Sequence, residues 1–162
     1  MNCGLFKENV ESVAGHCVVT ADVTNGLRQI IADLRAQRVA ISDAPELAQF
    51  GVIPTANDLF NFEVGITRAQ AAIAETGTLV LDSSCERNRL VSVVPPVHIV
   101  IVAASRIYPT LADVLAMLQS GKEVSPAITF ITGPSRTADI ELTLTIGVHG
   151  PQELYVVVDE TS

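Results

Sequence analysis

The chain has 162 residues, of which 48% are apolar and 17% charged, and a formal net charge of −8 at pH 7. That is one domain's length, with enough apolar content for a substantial single core and too much for extended disorder. Its Lys and Arg are scattered, which excludes the basic footprint of a nucleic-acid binder, and its longest apolar run, Val97 to Ala104, is too short to span a bilayer.

Residues 2–13 read as a helix and His16 to Thr20 as a short strand. Lys7 and Glu8 interrupt the N-terminus, so no signal peptide is read there and a cytoplasmic location is expected. Asn25 to Gln37 predicts a helix, because Leu27, Ile30, Ile31 and Leu34 form one apolar stripe. Arg38 to Ser42 reads as a strand. Asp43 then caps a short helix, with Pro45 in its first turn and Glu46 at the capping-box position. Thr67-Arg68-Ala69-Gln70 has capping-box spacing and opens an Ala-rich helix to about Ala74, closed by Gly77 as a left-handed cap. Strands are predicted at Thr78 to Leu81, Arg89 to Val93 and Val97 to Ala103, whose near-continuous apolar character suits a sheet covered on both faces. Tyr108 to Leu118 reads as a helix, and Ala127 to Thr132, Leu142 to Ile146 and Leu154 to Val158 as the last strands. Strands alternating with helices predict a single α/β domain over residues 1–162, a three-layer α/β/α sandwich with a mostly parallel central sheet.

Three segments carry the chemistry. Gly133-Pro134-Ser135-Arg136-Thr137-Ala138-Asp139 follows a predicted strand and packs a cation, two hydroxyls and a carboxylate into one strand-end turn. The planar fork of Arg136 suits a carboxylate or phosphate, with Ser135, Thr137 and the turn amides around Gly133 assisting, and Asp139 beside them. The plainer alternative pairs Arg136 with Asp139 or Glu141 at the surface. In Glu75-Thr76-Gly77-Thr78, Glu75 falls at a predicted helix C-terminus, where the macrodipole disfavours an anion. It is a candidate nucleophile or general base, with Thr76 and Thr78 offering hydroxyls; a solvated Glu, or one paired with Arg68 or Arg89, is the alternative. Gly147-Val148-His149-Gly150-Pro151 places His149 in a tight loop, as a proton carrier or as a turn residue bonded to a carbonyl. His98, opening an apolar strand, reads as a satisfied core or edge histidine. Cys3, Cys17 and Cys85 are too widely spaced for an iron–sulfur cluster or structural zinc, and no His pair has metal-ligand spacing, so neither metal nor cofactor is expected. There is no dinucleotide fingerprint, P-loop or nucleophile elbow.

The strings A-E-T-G-T (74–78), G-P-S-R-T-A-D-I-E (133–141) and G-V-H-G-P (147–151), with Pro95-Pro96-Val97-His98-Ile99 between them, resemble the LUD-domain family typified by lactate utilization protein C. The resemblance covers residues 58 to 158. It implies the α/β/α group of glucosamine-6-phosphate deaminase, ribose-5-phosphate isomerase and CoA transferases, whose members bind sugar phosphates or acyl-CoA at strand ends. It also implies a part in oxidising L-lactate to pyruvate beside iron–sulfur partner proteins. CoA transferases use a Glu nucleophile in an S-E-N-G type motif, to which the sequence around Glu75 is loosely similar. The resulting expectation is a cytosolic lactate-utilization component that binds a small anionic metabolite (a carboxylate, phosphate or CoA ester), with neither nucleic acid nor membrane as partner. The alternatives are an accessory subunit or scaffold for the iron–sulfur proteins, and a free-standing transferase or isomerase acting on CoA esters or sugar phosphates.

Overall fold

The computed structural model describes residues 2–55, 57–85, 88–120, 125–138, 144–146 and 150–162, with backbone alone for 137–138 and 144–146. The chain runs through α1 (Cys3–Ser12), β1 (His16–Thr20), α2 (Val23–Asp33), β2 (Val39–Ile41), β3 (Val64–Arg68), β4 (Ala71–Ile73) and β5 (Thr78–Asp82). It continues through β6 (Val97–Ala103), β7 (Ile107–Tyr108), α3 (Leu111–Gln119), β8 (Ile128–Thr132), β9 (Arg136–Ala138), β10 (Leu144–Ile146) and β11 (Glu153–Asp159). Among the described residues no helix is long and apolar enough to cross a membrane.

The central sheet has the order β1-β11-β6-β3-β2, parallel at every pairing. Its strands are apolar on both faces because both are covered. On one side α2 lays Leu27 and Ile30 against Ile66, Ile99, Ile101 and Val157. On the other, Val100, Val102, Val156 and Val158 meet Phe6 and Val10 of α1 and Ala72, Ala74, Leu79 and Leu81 of a second sheet. That second sheet has the order β7-β4-β5-β8 and is mixed, antiparallel except where β4 runs beside β7. α3 covers its outer face through Val114, packed on Ala71, Ile73 and Val80. β9 and β10 form a separate antiparallel ribbon. The α/β class, the mostly parallel central sheet and the flanking helices are as the sequence predicts.

Four local expectations are corrected. Thr67 to Ala74 is not a helix: Thr67 ends up on β3 and Ala71–Ile73 forms β4. The alanines at 69, 71, 72 and 74 are all buried because the second sheet is covered on both faces, Ala69, Ala72 and Ala74 against the central sheet and Ala71 beneath α3; close packing, not helix propensity, explains them. Arg89 to Val93 is not a strand but a 3-10 turn over Arg89–Ser92. It seats its Val91 carbonyl against Gly65, where a Cβ would lie 2.1 Å from that oxygen. Tyr108 belongs to β7, and α3 starts three residues later, with Thr110 and Asp113 forming a reciprocal capping box. Asp43 does not cap the Pro45–Leu47 turn, and Glu46 instead binds Arg68 at 2.7 Å.

Candidate functional site

A cleft of about 380 Å³ opens where the two sheets splay apart at the amino ends of the parallel strands. β8 and the segment after it form one wall, from Thr129 through Gly133 and Pro134 to Ser135 and Arg136. Gly150, Pro151 and Leu154 form another, and Ser92 and Val93 of the 3-10 turn close over the top. Two of the segments singled out by sequence therefore meet. The Ser135 N–H donates to the Pro151 carbonyl at 2.8 Å, and a Cβ on Gly150 would lie 3.0 Å from the Ser135 Cβ.

His98 is the lining residue that sequence reasoning passed over as a satisfied core histidine. It is the second residue of β6, and strand alternation turns it to the same face as Val100 and Val102, toward the second sheet. Only 1% of its surface is exposed. Its Nε2 lies 2.8 Å from the Thr67 hydroxyl, itself fully buried, while its Nδ1 has no hydrogen-bond partner among the described residues. Burial pushes its pKa down from 6.5 to about 3, so the ring is neutral at physiological pH. The only hint in the sequence is the polar residue that opens an otherwise apolar run, beside a glycine on the neighbouring strand; Gly65 pairs with His98 in register.

Both motif loops are pinned by α1. Gly133 has φ of +71°, and a Cβ there would lie 2.6 Å from the Val13 carbonyl oxygen, just past the helix end. The Arg136 guanidinium donates to that same oxygen at 3.0 Å, a cation at a helix C-terminus. Gly77, at φ +63°, would bring a Cβ within 2.5 Å of the Val10 amide nitrogen, and Asn9 Nδ2 donates to the Ala74 carbonyl at 2.8 Å. Each glycine thus combines a left-handed backbone with an approach too close for any side chain. Arg136 itself begins β9 rather than sitting in a loop.

Glu75 does not line this cleft. It lies in the turn between β4 and β5, not at a helix C-terminus, and its Oε1 accepts from the Leu111 amide at 2.9 Å. A carboxylate on the first amide of α3 is where the helix dipole favours an anion, so the expected electrostatic penalty is reversed. Thr76, Thr78 and Thr132 form a chain of hydroxyls with successive oxygens 2.7 Å apart. Their groove, about 350 Å³, is otherwise apolar, bordered by Ile73, Leu111, Leu115 and Phe130, and Thr132 joins it to the cleft. Thr137 is described by its backbone only; Asp139 and His149 lie outside the described residues.

A second cleft, about 570 Å³, lies at the carboxyl ends of the parallel strands, lined by Arg68, Gln70, Asp82, Cys85 and Arg106 among others. Its polar groups are largely engaged with one another. Arg68 binds Glu46, and Gln70 donates to the Arg68 carbonyl and accepts from the Asp82 amide. Burial works to raise the Asp82 pKa, yet hydrogen bonds from Ser125 and Ser84 hold it below its ordinary value. Among the described residues no three His, Cys, Asp or Glu side chains are placed to hold a metal ion. Cys17 is buried and its thiol is pushed up to about 12, chiefly by desolvation, which makes it inert.

Comparison with known proteins agrees with this architecture. The LUD domain model matches residues 55–158. Lactate utilization protein C of Geobacillus kaustophilus is 31% identical over 187 residues, covering 98% of this chain and 75% of that protein. Lactate utilization protein C of Bacillus licheniformis is 39% identical over 102 residues, covering 60% of this chain and 42% of that protein. A crystal structure of a DUF162 family protein from Deinococcus radiodurans superposes with a TM-score of 0.73, at 24% identity, over 97% of this chain and 95% of that one. With most of its length matched by the family model, and with relatives above 30% identity along nearly all of it, the chain belongs to the LUD-domain family.

Proposed function

We propose that this chain is a cytoplasmic component of L-lactate utilization and that it binds a small anionic metabolite in the cleft at the amino ends of the parallel strands. The observation that carries the reading is the convergence of Ser135, Arg136 and Gly150-Pro151 on one cleft with His98 at its floor. The relatives' names supply the metabolic context. Among the described residues Arg136 spends one N–H on Val13, and the other donors of its fork are proposed to hold a carboxylate or phosphate. The Ser135 amide already serves Pro151, so the hydroxyl is its contribution to the ligand. Thr137, Asp139 and His149 belong to the same two segments and are proposed to complete the rim.

Thermal unfolding against lactate, pyruvate, CoA, acyl-CoAs and sugar phosphates tests this. A true ligand at a hundredfold excess over its dissociation constant stabilises the fold by about 2.7 kcal/mol. The shift is expected with a carboxylate or phosphate compound and is expected to vanish in Arg136→Ala. No shift with any of them would reject the binding reading.

A second reading has its own observation. Leu111, Leu115 and Phe130 are each 43% exposed around the apolar groove on the second sheet. There the chain would be an accessory subunit, docking on iron–sulfur lactate-utilization proteins. Stabilisation by such a partner and by no small molecule would favour it. The transferase or isomerase reading is the weakest, because Glu75 is held by α3 rather than by the cleft.

A further inference from the structure

β8 lies at one edge of the second sheet, and its outer side has no partner strand among the described residues. Register shows which backbone groups are left over. The Gln70 amide donates to the Val80 carbonyl, so Val80 turns its backbone groups toward β4. Its neighbours Leu79 and Leu81 therefore turn theirs toward β8, where they face Ile131 and Thr129. The Ser83 amide, which donates to the Ala127 carbonyl, continues the same alternation. The N–H and C=O groups of Ile128, Phe130 and Thr132 consequently point outward, away from the sheet. Open edges of this kind are ordinarily kept very short, charged or broken by proline or a bulge. This strand runs for five residues, and no residue from Ser125 to Ser135 is charged. Beside it, Phe130, Leu111 and Leu115 stand half exposed around a groove whose lining carries no charge either.

We infer that β8 pairs antiparallel with β8 of a second copy of this chain, about a twofold axis at Phe130. In that register Phe130 faces Phe130 of the partner subunit and Ile128 faces Thr132 of the partner subunit, each pair exchanging both of its outward hydrogen bonds. A strand antiparallel to itself meets the self-complementarity that a twofold interface requires. Ile128, Phe130 and Thr132 share one face of the strand, and Ile128 packs in the cluster beneath α3. The two phenylalanines thus meet on the face that α3 covers, with Leu111 and Leu115 of each copy flanking them. Charge selects this edge over β1, which is also five residues long and open on one side. Glu11 and Asp33 border β1, so two copies joined there would set acid against acid in a chain of net charge −8. The outer side of β2 is already occupied, since Val52 accepts from the Ile41 amide and donates to the Val39 carbonyl. This inference does not depend on the anion-binding reading, and it gives to a second copy the groove that the accessory-subunit reading gives to another protein.

Sedimentation of the purified chain across a concentration series tests this, with Phe130→Lys and Val18→Lys run beside it. The wild-type protein is expected to pass from monomer to dimer as concentration rises. Phe130→Lys sets two cations opposite each other at the axis and should weaken the dimer at least about tenfold. Val18→Lys puts the same charge on β1, at a side chain exposed to a similar extent, and should leave the dimer unchanged. Amide hydrogen exchange of the wild-type protein gives a readout that survives failure of either variant to fold. The Ile128, Phe130 and Thr132 amides should exchange slowly in the dimer and quickly on dilution, while Thr129 and Ile131, bonded to β5, stay slow throughout. A monomer at every concentration would overturn the inference, as would a dimer that Phe130→Lys leaves intact or that Val18→Lys disrupts instead. Protection of the three outward amides only on adding a lactate-utilization partner protein would also overturn it, and would move the groove to the accessory-subunit reading.

Discussion

The two ends of the parallel sheet handle polar groups differently. At the carboxyl end, where open α/β sheets ordinarily hold ligands, Arg68, Gln70 and Asp82 spend their hydrogen bonds on Glu46, on backbone and on nearby serines. Asp159 does the same: burial raises its pKa, but hydrogen bonds from Ser162 and Thr161 hold it below the usual carboxylate range. At the amino end, among the described residues, the cleft between the sheets holds a buried histidine with one nitrogen unspent and an arginine with a single hydrogen bond, to a backbone carbonyl. Ser42 Oγ, the other buried unpaired atom among the described residues, lines neither cleft. The proposed site thus follows the balance of donors and acceptors that the particular side chains leave over, and not the position usual for the fold class.

The contrast can be broken most forcefully at Gly65. An alanine there puts a Cβ 2.1 Å from the Val91 carbonyl and must displace the turn that roofs the amino-end cleft. A loss of about 3 kcal/mol, read from the urea midpoint, is expected. Next comes pH. His98 refuses a proton in the fold until about pH 3, whereas the unfolded chain accepts one near 6.5. Stability is thus fully present above 6.5 and declines as pH falls through that window, at up to about 1.4 kcal/mol per unit. Unfolding followed from pH 7 down to about pH 5 should show this slope, and His98→Gln should flatten it. An unchanged slope would mean that the ring is charged in the fold.

Ligand affinity sharpens the comparison directly. Arg136→Ala should weaken carboxylate binding by at least about tenfold, as expected for loss of a charged hydrogen bond. Arg106→Ala, at the opposite end, should leave it unchanged. Isothermal titration with lactate distinguishes the two, and the reverse result would move the site to the carboxyl ends. The smallest effect belongs to Glu75→Gln. Weakening the anion at the start of α3 should cost about 0.3–1 kcal/mol of stability and leave ligand affinity untouched; a loss of turnover without loss of stability would instead restore Glu75 as a catalytic group.

What the sequence disclosed followed the range of the interactions involved. The stripe of α2 is a local period, and Leu27 and Ile30 are buried as read. Gly133 and Gly77 were legible as turn residues, since positive φ is a local demand. The helix assigned from Thr67 to Ala74 failed because alanine serves two purposes, helix propensity and close approach of sheets, and only tertiary contact decides between them. Glu75 was misplaced along with that helix. The cleft was half legible: the Gly-Pro punctuation marked the Ser135–Arg136 segment, but Thr67 and His98 are 31 residues apart and meet only through strand register. The bond from Arg136 to Val13 spans 123 residues and leaves no trace in either neighbourhood.

That last contact has a consequence for how the motifs should be read. The matched region begins at residue 55, yet the gauge that sets the gap between its loops is α1, which touches Gly77 with its last turn and Gly133 and Arg136 just beyond its end. The motif letters define what the loops are made of; a helix outside the match defines how far apart they stand. Replacing that helix is therefore a route to widening or narrowing the cleft without altering one motif residue. Two proteins with identical motif strings and different leading helices need not accept the same acid.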